Sequence, residues 1–106
     1  MPLMDITYQL VPKKKSQPGR VIAHDPLYRI IVHNDDVTPM DFVIHILMTV
    51  FRIPELNAAT IMYAAHLDGS AYVQTLSKSE AKLRINKALF AARLGRFPLQ
   101  FSMEIE

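Results

Sequence analysis

Hydrophobic and polar positions divide most of the chain into six segments with two different periods. Leu27 to Asn34 is β-branched and aromatic, and alternation along it puts Tyr28, Ile30, Val32 and Asn34 on one face, which predicts a strand. Thr38-Pro39 predicts a helix start, with Thr38 as N-cap and Pro39 at the first helical position, where its missing N–H costs nothing. From Met40 to Phe51 only Asp41, His45 and Thr49 are polar, at i, i+4 and i+8, so the helix carries one thin wet stripe. Met40, Val43, Ile44, Leu47, Met48 and Phe51 suffice for a core face, and Phe42, Ile46 and Val50 add another. Either this helix is central and packed all round, or one of its edges lines an apolar pocket.

A second helix fits Glu55 to Leu67, closed by Gly69 near its C-terminal cap, with Met62, Ala65 and His66 on one side. Ala71 to Leu76 predicts a short strand. Ser77 and Glu80 have the spacing of a capping box, in which hydroxyl and carboxylate satisfy opposite backbone donors. The helix after them is expected to bury Ala81, Ile85, Ala88, Leu89 and Ala92, to end at Gly95, and to carry Lys82, Arg84, Lys87 and Arg93 outside. Pro98 to Glu106 alternates, which places Leu99, Phe101, Met103 and Ile105 inward on a half-buried strand.

The order β-α-α-β-α-β gives an α+β fold: a small three-stranded antiparallel sheet, wet on one face and covered by three helices, similar to a ribosomal stalk-protein C-terminal domain. Residues 1–25 contain Pro2, Pro12, Pro18, Gly19 and Lys13 to Lys15 and read as a flexible tail, within which Ile6 to Val11 resembles a transient strand. Residues 26–106 form the domain.

Composition narrows the classes of function. Half of the 106 residues are hydrophobic and 21% are charged, which describes a folded, soluble single domain. The chain has no cysteine, so disulfides, thiol catalysis and cysteine-ligated zinc are all excluded. No apolar run has the roughly 18 to 20 residues of a membrane span, and no secretory signal is visible, so a cytoplasm-like compartment is expected. The net charge is only +2, with basic residues grouped at Lys13 to Lys15 and along residues 78–96, a distribution that reads as solvated charge.

Candidate chemistry concentrates in His33-Asn34-Asp35-Asp36-Val37-Thr38-Pro39-Met40, a polar knot between two apolar runs. Three readings are open. Asx residues before a helix form turns, paired acids beside histidine hold a divalent cation or act as acid and base, and an amide with a carboxylate binds a cationic group. On local grounds the turn leads; between the other two, alternation favours binding, because Asn34 and Asp36 point to one side, directly before the apolar edge that begins at Met40 and Val43. That arrangement suits a ligand with a cationic head and an apolar tail.

The runs YRIIVHNDDVTPMDFVIHIL and Met62-Tyr63-Ala64-Ala65-His66, with Gly69 and Phe97-Pro98-Leu99, resemble the ClpS family of Clp-protease adaptors over about residues 26–106. The resemblance implies an N-recognin rather than an enzyme, with no cofactor and no metal. Such a protein binds a free N-terminal Leu, Phe, Tyr or Trp and delivers its bearer to the N-terminal domain of a ClpA or ClpC AAA+ unfoldase coupled to ClpP. It further implies that Asn34, Asp35, Asp36 and His66 hold the α-amino group and first peptide unit. The side-chain pocket is implied to be Val32, Thr38, Met40, Val43, Met62, Ala65 and Leu99, with Met40 narrowing the mouth against β-branched Ile and Val. Ala65 stands where similar proteins more often carry a larger β-branched residue, which implies a deeper or differently shaped pocket. Unfoldase docking falls to Glu80 and Arg84, with Ser79 at the position that is acidic in relatives. His66 accepts from an ammonium only when neutral, so acid is expected to weaken binding. The expected state is a monomer in the cytoplasm, or in an organellar stroma after removal of a transit peptide, with no nucleic-acid or membrane partner. The competing readings are a small metal-dependent hydrolase using Asp35, Asp36 and His66, and a basic ribosome- or RNA-binding module.

Overall fold

In a computed structural model that describes residues 25–106, the elements follow the expected order: β1 (Leu27–His33), α1 (Met40–Thr49), α2 (Glu55–Asp68), β2 (Ser70–Ser77), α3 (Lys78–Leu94) and β3 (Gln100–Ile105). The expected tail, including Ile6 to Val11, lies outside the described residues except for Asp25. The strands form one sheet in the order β2-β1-β3, with β1 central and antiparallel to both neighbours.

Register decides which side chains meet the helices. Tyr28, Ile30 and Val32 pair with Ile105, Met103 and Phe101, so all six share the inner face. Arg29, Ile31 and His33 share the outer face with Glu104, Ser102 and Gln100, where Arg29 reaches Glu104 at 3.7 Å and lies over the Tyr72 ring. Ile105 was expected inward and has the inward register, yet it is exposed because it lies at the last position of its strand. Between Ile30 and Ile31 the β2 register slips by one residue, since Ile30 faces Gln74 while Ile31 faces Tyr72. Val73 is the extra residue, and the bulge turns both Val73 and Gln74 inward. Val73 is buried in the core, and the Gln74 amide donates to the Phe51 carbonyl at 3.2 Å.

The core is built from Ile30 and Val32 of β1, Ile46 and Leu47 of α1, Phe51 and Ile53 after it, Ala58 and Ala65 of α2, and the inner residues of α3. On α1 the expected wet stripe of Asp41, His45 and Thr49 is exposed. The helix stops at Thr49, so Phe51 reaches the core from the loop and stacks at a tilt on Phe101, with ring centroids 5.2 Å apart. Leu89 was expected buried and is half-buried at the edge of the core.

Helix ends follow the expectations at three places and depart at two. Gly69 caps α2 in the left-handed conformation (φ 91), and Ser77 caps α3 by accepting from the Glu80 N–H at 3.3 Å. The other half of the capping box is replaced, because Glu80 turns along the helix to Arg84 at 2.8 Å. Gly95 ends α3 without a left-handed φ; Arg96 takes that conformation instead (φ 61). Glycine at 95 answers a steric demand: a Cβ there would lie 2.7 Å from the Phe97 ring. The second departure is at α1, where Pro39 rather than Thr38 is the cap residue and its carbonyl accepts from Phe42 and Val43.

Candidate functional site

Thr38 fails to cap α1 because Asp35 captures it. One Asp35 oxygen accepts from the Val37 N–H at 2.8 Å and the Thr38 N–H at 2.6 Å, while the other accepts the Thr38 hydroxyl at 2.8 Å. Burial works to raise the Asp35 carboxyl, but the bonds from Thr38 and Val37 outweigh it and hold the group below its ordinary value of 3.8. The turn reading of the polar knot is therefore correct for Asp35. Its neighbours Asn34 and Asp36 are exposed. The Asn34 backbone N–H donates to the Gly69 carbonyl at 2.9 Å, which ties the end of β1 to the C-terminal cap of α2.

That tie draws two helices around the end of β1 and leaves a solvent-open hollow of about 290 Å³ between them. Val32, Met62, Ala65 and Leu99, all buried, line the hollow. Half-buried Thr38 and Val43 and the 41%-exposed Met40 line it nearer the surface. Leu99 is carried there by the stretch before β3, where Phe97 packs on Phe42 of α1 with ring centroids 4.8 Å apart. The edge of α1 from Met40 to Val43 thus lines an apolar pocket, the second of the two readings its surplus of apolar residues allowed.

All seven residues expected in the side-chain pocket meet in this hollow, and Asn34 and Asp35 join them. Asp36 and His66 are not among its lining residues; Asp36 lies in the loop beside it, and His66 is exposed in the last turn of α2. His33 lines the hollow although alternation points its side chain away, and its Nε2 indeed bonds to the Ser102 hydroxyl at 2.7 Å on the outer sheet face. No sequence pattern marks His33 for the hollow. Glu80 and Arg84 lie apart on α3, where Arg84 also donates to the Val50 carbonyl at 3.3 Å.

Chemically the site is an apolar hole beneath a rim of amide and carboxylate. The described residues contain no group of three His, Cys, Asp or Glu placed to hold a metal ion. No helix among the described residues is long and apolar enough to cross a membrane.

Fold and rim together define a small α+β domain with an open hollow at the end of its central strand. Residues 23–102 match the family described as ATP-dependent Clp protease adaptor protein ClpS. The ClpS adapter of Treponema denticola is 36% identical over 96 residues, covering 87% of this chain and 95% of that protein. The adapter of Desulforapulum autotrophicum is 36% identical over 100 residues, covering 94% and 89%. Among solved structures, Agrobacterium tumefaciens ClpS2 bound to L-phenylalaninamide superposes with a TM-score of 0.74 at 35% identity, covering 78% of this chain and all of that one. The chain belongs to the ClpS family, whose members are adaptors of the ATP-dependent Clp protease rather than enzymes.

Proposed function

We propose that the hollow receives the first residue of a protein chain, side chain downward and α-amino group at the rim, and that the domain hands its bearer to a AAA+ unfoldase of the ClpA or ClpC type working with ClpP. The observation that carries this is the juxtaposition of the buried apolar residues Val32, Met62, Ala65 and Leu99 with the exposed Asn34 in the lining of the same hollow. L-phenylalaninamide, the ligand of the Agrobacterium relative, has the same two halves, a free α-amine and an apolar side chain. Asn34, Asp36 and His66 take the amine and first peptide unit, while Asp35 holds the turn that presents them. The preferred first residues are Leu, Phe, Tyr and Trp, and Glu80 and Arg84 dock the unfoldase. The site of action is the cytoplasm or an organellar stroma, and the protein acts as a monomer.

The energetics are consistent with a weak, exchangeable complex. An α-amino group, with a pKa of about 7.7 to 8.0, is mostly protonated at neutral pH and offers three donors. Burying a leucine-sized side chain contributes about 1.5 to 3 kcal/mol, and each bond to a charged group about 1.5 to 3. Less the cost of association, the sum corresponds to a Kd on the order of micromolar.

A fluorescence titration with peptides that differ only in their first residue and its acetylation tests the assignment. Peptides beginning with Leu or an aromatic residue are expected to bind, and acetylation to weaken them by about 100-fold or more, since it removes charge and donors together. Equal binding of acetylated and free peptides would show that the rim does not read the amine.

A further inference from the structure

The third helix is built inside out. Its buried side is mostly alanine, with Ala81, Ala88 and Ala92 no more than 1% exposed, whereas Leu83, Phe90 and Leu94 are 49%, 58% and 72% exposed. A helix serving only its own core would put the bulky residues inward and leave alanine outside. At 100° per residue the exposed trio and Lys87 fall within about 60° of arc, on the side opposite the core. Their spacing of four, three and four residues from Leu83 through Lys87 and Phe90 to Leu94 is the d-a-d-a seam of a helix that packs on one other helix.

Charge selects the occupant. Residues 78–96 carry six Lys or Arg against one Glu, and that Glu80 is already paired with Arg84. The other described residues carry two Arg against eight Asp or Glu, so the positive charge of the domain is gathered on this helix. A second copy would bring two such helices together with Lys87 inside the seam, which like-charge repulsion opposes. An acidic helix meets both requirements, because its apolar row covers Leu83, Phe90 and Leu94 and a carboxylate opposite Lys87 satisfies the one polar seam position.

We propose that the outer face of α3 is a docking seam for an acidic amphipathic helix of a partner protein. The α3 helix contributes no residue to the hollow, so the seam is independent of what the hollow binds. Its narrowness favours a helix over a lipid surface, since a single row with lysine in the middle has no broad apolar face to insert.

The probe is a three-heptad peptide with Leu at a and d, Glu at e and g, and one a-position Glu placed to meet Lys87. It is titrated into the full chain and into Phe90→Ser and Lys87→Glu variants, whose unfolding midpoints are measured alongside. Binding by the unsubstituted chain that falls about tenfold or more in both variants, at unchanged midpoints, is the expected result. Exchanging only the a-position Glu for Lys should weaken binding to the unsubstituted chain and restore it to Lys87→Glu. Failure of the acidic helix to bind would overturn the proposal, as would indifference to Phe90→Ser. Preferential uptake by phosphatidylglycerol vesicles would assign the face to membranes instead, and dimerisation abolished by Phe90→Ser would assign it to a second copy.

Discussion

Asp35 and Asp36 are adjacent and chemically identical, yet the loop gives them different work. Asp35 turns back on its own backbone, where Val37 and Thr38 saturate it, and Asp36 stays in solvent beside the hollow. Replacing Asp35 with Ala removes three hydrogen bonds at the mouth of α1 and is expected to cost about 1 to 2 kcal/mol in denaturant unfolding. Because its folded carboxyl lies below the ordinary 3.8, this contribution is present above about pH 4 and is lost as pH falls through the lower folded value. An NMR titration of the Asp35 carboxyl carbon with its inflection at or above 3.8 would contradict that account. Met40 is the other residue whose role hangs on position. It is 41% exposed while lining the hollow, a position open to the gate role that the resemblance implies, and a thioether without β-branching fills irregular space readily. Met40→Ala is expected to admit peptides beginning with Ile or Val while keeping those beginning with Leu, and unchanged selectivity would mean that the mouth is shaped by other residues.

At the scale of elements, type and order were legible because each segment has a strong period and clear punctuation: Gly69 after α2, Ser77 before α3, alternation in β3. What escaped had a competitor that no period reveals. Thr38-Pro39 has the signature of a helix start, but Thr38 was claimed by an acid three residues earlier, so the cap moved to Pro39. The β2 bulge was invisible because Val73-Gln74 breaks alternation by a polar residue pointing inward, where the Phe51 carbonyl satisfies the amide Nε2 while Oε1 stays buried without a partner. The capping-box spacing offered Glu80 the Ser77 N–H, but its carboxylate pairs with Arg84 one turn along the helix. The set of seven hollow-lining residues was implied by the resemblance to ClpS; the strand and helix faces alone grouped only Val32 with Asn34, Met62 with Ala65, and Met40 with Val43. His33 was not legible, because lining a cavity from the strand end is a matter of tertiary placement, and its ring had been sent to Ser102.

Across the whole molecule, charge and chain direction separate two ends. The hollow has Asp35 in its lining and Asp36 next to it in the chain, an environment suited to a cationic amine, whereas α3 gathers most of the described lysines and arginines. The chain preceding the domain joins it at the basic end. The Pro26 carbonyl accepts from the Lys78 N–H at 2.8 Å, and the Asp25 carboxylate accepts from the Ser79 hydroxyl, a bond that draws the Asp25 carboxyl below its ordinary value. Residues 1–24 are therefore attached beside Ser79, Glu80 and Arg84, where the proposed unfoldase contact lies, and away from the hollow. Such an attachment fits the proposed function if the domain chooses the substrate while the preceding segment is what the docked unfoldase engages, a role the resemblance to ClpS implies. Removing residues 1–24 while keeping Asp25 is expected to leave the affinity for a phenylalanine-first peptide within about twofold. The same truncation should abolish degradation of a protein with that N-terminus by the reconstituted unfoldase and peptidase. Continued degradation would show that docking through the domain alone suffices. A parallel loss of peptide affinity would show instead that the segment reaches the hollow, contrary to the attachment at α3.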